Sequence, residues 1–298
     1  MALISKVFQY ISDVRDLAPQ FKSDSPILSL EPFFRPQRQK LIDLIDLTTY
    51  NTIESYILTP TNPVNAIIAT ATDYLKAALA NMLAVPYYIF EAGERNNTES
   101  KVYRYQEMQQ IEVYLELAWT ELNSLLDHLD ANVETFTDFP NTAIYKMRSG
   151  MFLKNAADFT RYYGAVKSSY FFNNTLYIQE EEINEKIKSR IPAYPTMPNN
   201  DTTWYVGKAL VYLILSKACI QLDYTELPKS IRADIVHEVT AKKGNENDIK
   251  RALSDAFAIE ADKYLAKIEF EVNQEKNSGT YVPPTNTLTE DDKFYMPG

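Results

Sequence analysis

The chain has 298 residues, 45% hydrophobic and 23% charged, which supplies apolar material for one large domain or two ordinary ones and excludes a disordered chain. Seven glycines leave little material for a Gly-rich phosphate-cradling loop, which argues against a nucleotide enzyme. A net charge of −10 and a pI near 4.9 argue against tight, sequence-independent wrapping of nucleic acid, yet they allow an acidic wall past which DNA slides without being trapped.

At the N-terminus, MALISKVFQYISDVRD has no sustained apolar run and no small-residue cleavage pattern, so no secretory signal is read there. Apolar periodicity predicts helices over roughly 3–15, 32–55, 63–84, 102–130, 141–163, 178–191, 201–223, 227–241 and 247–274, which is an all-α fold. The first of the longer segments carries FFRPQRQK, whose Arg35, Arg38 and Lys40 are the candidate contact for phosphate or for an acidic partner face, with a solvated surface as the alternative. YYIF at 87–90 and LYI at 176–178 are the short β-like runs, and each equally suits the start of a helix.

The most regular pattern is VYRYQEMQQIEVYLELAWTELNSLLDHL at 102–129. Ile111, Leu115, Ala118, Leu122, Leu125 and Leu129 alternate at spacings of four and three, while Glu112, Glu116, Asn123 and Asp127 take other faces. Tyr103, Arg104 and Tyr105 at its start suit either a stacking platform or a packed corner. Next, FPNTAIYKMRSGMFLKNAADFTRYYG opens on a candidate cap, Asn141 or Thr142 after Pro140, and reads as a linking helix. The acidic run Glu180, Glu181, Glu182 and Glu185 reads as the opening of a helix, where carboxylates meet the positive end of the macrodipole. ALVYLILS at 209–216 is the longest apolar stretch and falls far short of the ~20 residues a membrane span needs, so no membrane is expected.

The second half repeats the order of the first. FFRPQRQKLIDLI, NAIIATATDYLKAALANML and the long helix find counterparts in LYIQEEEINEKI, WYVGKALVYLILSKACIQL and NDIKRALSDAFAIEADKYLAKIEFEV. Pro86 to Pro228 and Leu41 to Ile183 are offset by 142, and Ala118 to Ala261 by 143. The expected organisation is therefore a first helical unit over 1–137, a linking helix over 138–164, a second unit over 165–273 and an extended C-terminal arm over 274–298. The arm lacks a helical period and is expected to gain order only by lying on a neighbouring subunit, with Tyr281, Phe294 and Tyr295 as contact residues.

No residues stand out as catalytic, metal-binding or cofactor-binding. His237 and Glu238 begin like a zinc-peptidase HExxH motif, but Ala241 stands where the second histidine belongs. His128 has no companion ligands on its helix, and the single Cys219, which cannot form an internal disulfide and so fits an intracellular protein, reads as a small buried hydrophobe.

The run from YRYQEMQQIEVYLELAWTELNSLLDHL to FTDFPNTAIYKMRSGMFLKNAADFTRYYG resembles a family from phages and prophages of Bacteroidetes hosts, whose members are similar to the small all-helical head–tail connector (portal adaptor) proteins of tailed phages. The matching positions are Tyr105 to Glu107, Leu125 and Leu126, Phe136 to Phe139, and Phe152, Ala156, Phe159, Tyr162 and Tyr163. The resemblance implies a virion protein, made in the host cytoplasm, that self-assembles into a ring of twelve-fold symmetry beneath the portal. Such a ring contacts portal and tail proteins and passes DNA without sequence-specific binding. It carries no cofactor and no catalytic residues to transfer. Two other readings stay open: a bacterial helical adaptor or ligand-binding module with an aromatic groove, and an enzyme with a degenerate metal site at His237.

Overall fold

A computed structural model describes residues 2–19, 21–22, 25–61, 63–96, 104–241 and 244–278. Among the described residues every regular element is a helix and there is no strand. The first half holds α1 (Ile11–Arg15), α2 (Glu31–Ile45), α3 (Leu47–Leu58), α4 (Ala66–Asn96) and α5 (Arg104–Ala131). Two short helices follow, α6 (Ala143–Gly150) and α7 (Ala156–Tyr162). The second half holds α8 (Ser169–Asn174), α9 (Leu176–Glu182), α10 (Lys188–Arg190), α11 (Asn200–Gln221), α12 (Lys229–Thr240) and α13 (Glu246–Ser278). The β-like runs at 87–90 and 176–178 lie inside α4 and α9.

Each half is built on an antiparallel pair of long helices. In the first, the end of α5 meets the start of α4: the His128 ring Nε2 lies 2.8 Å from the Ile67 carbonyl and packs edge-on to Tyr74. Further along, Tyr114 meets Tyr88. The Leu122, Leu125, Leu126 and Leu129 stripe of α5 closes a core with Leu75, Leu79 and Leu83 of α4 and with Phe34, Leu41 and Ile45 of α2. In the second half, Asn199 at the start of α11 donates to Glu271 near the end of α13, and Lys250 at the start of α13 donates to the Leu222 carbonyl beyond the end of α11. α11 is apolar and long enough to pass as a membrane span by length and composition. It is also the helix that both cores of the second half share, with Val211, Ile214 and Leu215 facing one and Val206, Leu210 and Leu213 the other. A helix apolar on all sides is what that central position requires.

Several boundaries differ from the periodicity, each for a local reason. The segment 3–15 is a 3₁₀ turn at Ile4–Lys6 followed by α1, because the Asp13 carboxylate accepts from the amides of Gln9 and Tyr10 and caps a fresh helix start. The 32–55 helix is broken at Asp46, which stands at φ 72° and accepts the Thr48 amide at 2.7 Å to start α3. Pro86 does not end α4, which runs on to Asn96, so here packing along the helix outweighs the lost amide. The 141–163 segment is two helices, not one linking helix. Thr142 caps the first through the Tyr145 amide, and Asn155 caps the second through the Asp158 amide. Between them Leu153 is fully buried, and the buried Gln179 side chain bonds both its amide and its carbonyl, at 3.3 and 3.0 Å. Two backbone groups met by one amide side chain make the interruption as well satisfied as a helix. Residues 274–278, expected as the start of the extended arm, continue α13.

Among the described residues, Gly207 is the helical glycine whose lack of a side chain decides packing: a β-carbon there would fall 2.2 Å from the Tyr162 ring. Tyr162 lies flat on α11 at that point and meets Trp204 with ring centroids 5.1 Å apart. Gly207→Ala is expected to destabilise the fold by about 1–3 kcal/mol through displacement of that ring. Gly150→Ala, with open space at the β-carbon, is expected to be neutral or to stabilise α6 slightly. Urea unfolding of the two variants checks the contrast.

Asp46 gives a second test. The Thr48 amide bonded to its carboxylate, the largest effect, holds its pKa below the ordinary 3.8. A carboxyl depressed on folding contributes stability above its unfolded pKa and loses it as pH falls through the folded value. Asp46→Ala is therefore expected to cost about 1–2 kcal/mol at neutral pH, and the gap from the parent is expected to narrow below pH 3.8. Thermal melts from pH 7 downward read both.

Candidate functional site

The most developed surface feature lies along α5, on the side turned away from the Leu122 to Leu129 stripe. Glu112, Glu116, Thr120, Asn123 and Asp127 recur there at spacings of three and four, and each meets a residue of the second half or of α6. Glu112 pairs with Arg232 of α12. Glu116 receives the Ser168 hydroxyl at 2.8 Å and the amides of Ser169 and Tyr170 at 2.5 and 3.2 Å, so a carboxylate from another helix satisfies the open amides at the start of α8. The Thr120 hydroxyl lies 3.4 Å from that of Ser169, and Asn173 donates to Asn123 at 3.0 Å. Asp127 pairs with the buried Arg148 of α6, whose Nε also lies 3.5 Å from Asp130. Burial pushes the Asp130 carboxyl up while Arg148 opposes the shift.

At the Glu112 end the seam opens into a cleft of about 570 Å³ lined by Glu112, Val113, Glu116, Lys167, Lys229 and Arg232 among others. That volume suits a small ligand. Its charged floor is already engaged: Arg232 and Glu112 face each other, the Arg232 guanidinium lies 6.0 Å from the Tyr224 ring, and Glu116 is bonded to α8. Chemically the cleft is a bolted joint with a polar mouth. Sequence reading missed the seam because four of its residues, Glu112, Glu116, Asn123 and Asp127, stood out only as polar positions on the other faces of a helix. The available signal was their own periodicity: a second, polar stripe at helical spacing.

The basic cluster of α2 is dispersed. Arg35 is exposed and pairs with Glu31 at 2.9 Å, four residues earlier on the same helix. Arg38 turns inward, 3.5 Å from the buried Glu54 and with its guanidinium 4.6 Å from the Tyr50 ring centroid. Lys40 lines a small apolar pocket of about 130 Å³ beside Pro86 and Trp119. The three do not share one surface. Tyr281, Phe294 and Tyr295 lie outside the described residues, as does Tyr103 of the Tyr-rich start of α5.

The acidic run does not open a helix: α9 begins at Leu176, and Glu180 to Glu185 fall at its far end, where the backbone passes through a π-helical turn at Ile183–Ile187. The helix continues through that turn into α10, so these carboxylates lie in a helix interior, beyond the reach of the favourable positive end of the dipole. Lys217 of α11 compensates, 2.7 Å from the fully buried Glu182 and 2.9 Å from Glu181. Its own pKa is raised, burial opposing and the hydrogen-bonded Glu182 and Glu181 prevailing. His237 is exposed and lies 3.4 Å from Glu238. Among the described residues no three of His, Cys, Asp and Glu are grouped to hold a metal ion. Cys219 is buried, which pushes its thiol up to about 11.

A contiguous set of partly exposed rings runs along α11 and α13. Tyr212 stacks on Tyr264 with centroids 5.9 Å apart, and it meets Tyr163 and Phe257 edgewise or tilted. Tyr205 meets Tyr264, and the Lys267 ammonium lies 5.3 and 5.1 Å from those two rings.

No family model, no curated protein and no solved structure matches the chain.

Glu116→Ala is expected to leave the start of α8 unsatisfied and to cost about 1–3 kcal/mol. Asn123→Ala, which removes a single neutral hydrogen bond across the same seam, is expected to cost about 1 kcal/mol or less. Chemical unfolding of both variants beside the parent checks the order.

Proposed function

We propose that this chain is a structural, non-enzymatic virion subunit of a tailed phage, of the head–tail connector or portal-adaptor type. In this reading copies assemble into a ring, twelve-fold in symmetry, between portal and tail proteins, and DNA passes through without sequence-specific binding. The observation that carries the proposal is where the charged and polar groups are spent. Glu112, Glu116 and Asp127 join the halves, Arg38 and Lys6 hold Glu54, and Lys217 holds Glu182. Groups that a catalytic cleft would aim at a substrate are here directed at neighbouring helices, as a load-carrying subunit requires. The charge of −10 supports a channel wall that repels phosphate.

We also infer an internal duplication. The offset of 142 that carries Pro86 onto Pro228 also carries α5 onto α13, and each of these helices packs antiparallel to the long helix before it. The copies differ elsewhere: α3 has a loop as its counterpart, and the part of α4 after Pro86 has the separate α12.

A second reading is a helical binding module, and the Tyr205, Tyr212 and Tyr264 surface favours it, since partly exposed stacked rings accept planar or sugar-like ligands.

Sedimentation velocity at increasing concentration, followed by negative-stain electron microscopy, separates the two. A connector subunit is expected to yield closed rings at high concentration or with its portal partner. Removal of residues 279–298 is expected to leave the helical circular dichroism unchanged and to abolish rings. A chain that stays monomeric at every concentration, with and without portal protein, contradicts the proposal, and so do normal rings from the truncated chain for the role given to the tail.

A further inference from the structure

Of the three cations in the basic segment of α2, two are engaged by the fold: Arg35 pairs with Glu31 and Arg38 with Glu54. Lys40 is exposed, forms no ion pair among the described residues and lines the pocket of about 130 Å³ beside Pro86 and Trp119. Three helices wall that pocket, α2, α4 and α5. On α5 the lining face runs Leu115, Ala118 and Leu122 at spacings of three and four, and Ala118 is where this face leaves room.

The walls are mostly apolar, with one exception that the fold does not satisfy. Gln37 lines the pocket, is 9% exposed, and its side-chain amide forms no hydrogen bond among the described residues. Buried amides without a partner are costly, and native proteins supply one from the chain, from water or from a ligand. A water needs several polar partners, which walls of this kind do not offer.

Size and charge identify the occupant. An apolar cavity of about 150 Å³ takes one benzene-sized ring, and about 130 Å³ is of the same class. Lys40 carries the charge among the described lining residues, and no carboxylate is among them, so an anion is favoured over a cation. Gln37 and Lys40 are three residues apart on α2, which brings both donors to one end of the pocket.

We propose that this pocket is a binding site for a small monocyclic aromatic carboxylate. Its ring lies among Ala118, Trp119 and Pro86, and its carboxylate accepts from the Gln37 amide and the Lys40 ammonium. The site is built within the first half and needs no neighbouring subunit, so it stands apart from the ring reading.

The test uses the isotope-labelled full chain. Trp119 and Trp204 are its two tryptophans, so nitrogen-edited NMR gives two indole N–H signals, assigned with Trp204→Phe. Benzoate is expected to move the Trp119 signal saturably and to leave that of Trp204 in place. Benzylamine, of like size and opposite charge, and acetate, which has the charge without the ring, are each expected to bind at least about tenfold more weakly. Ala118→Leu is expected to fill the pocket and abolish the response, with helical circular dichroism unchanged. Gln37→Leu is expected to weaken benzoate about tenfold, and Lys40→Glu to reverse the order of benzoate and benzylamine. A Trp119 signal unmoved by benzoate up to about 10 mM overturns the proposal. So does equal binding of benzoate and benzylamine, or a benzoate response that any of these three substitutions leaves unchanged. Binding that emerges only after removal of 279–298 would identify the chain's own tail as the occupant and overturn it too.

Discussion

The structure depends on α5 serving two cores at once. Its leucine stripe closes the first half against α4 and α2, and its polar stripe from Glu112 to Asp127 holds α6, α8 and α12. An amphipathic helix at a protein surface leaves its polar face to water. Here that face meets the open amides of α8 and the guanidinium groups of Arg148 and Arg232, which are the partners a row of carboxylates and amides can satisfy. The consequence is directional: hydrogen bonds and ion pairs with fixed geometry set the angle between the halves, where an apolar contact would leave it free to slide. Ile144 of α6, packed against both the first core and one core of the second half, adds an apolar hinge pin to the same joint.

Most of the helices were legible because burial on one face imposes a period. The starts and ends of α11 and α12 and the start of α13 follow it to within about two residues, whereas α13 runs past its expected end at 274. What periodicity could not show were interruptions with a private solution to their backbone hydrogen bonds. Asp46 stops one helix and starts the next within a single residue. Leu153 leaves helical geometry because Gln179, distant in sequence, meets its backbone. Asn155 with Asp158 is a cap legible in the sequence, and it prevails over the longer period. Pro86 errs in the other direction: a proline usually ends a helix, but α4 is held on both sides of it by Tyr87 and Leu83 in the core.

The candidate site was less legible than the fold, and the reason is the same each time. Charge in a sequence carries no information about its partner. Arg38 and Arg35 are three residues apart, yet one lies against Tyr50 and Glu54 while the other is exposed beside Glu31. The Glu180 to Glu185 run belongs to Lys217, which lies more than thirty residues on. The period of polar residues along α5 survives in the sequence, and it marks where that helix meets α6, α8 and α12.

The central claim is that the polar stripe of α5 makes the two halves one mechanical body, as the proposed ring subunit would need. Native-state hydrogen exchange in low denaturant measures this most directly, by the opening free energy of amides in α4 and in α11. The account predicts that the slowest amides of both helices converge on one common, global value, and that Glu116→Ala lowers the two together. Separate plateaus, with only one half destabilised by the substitution, would contradict it.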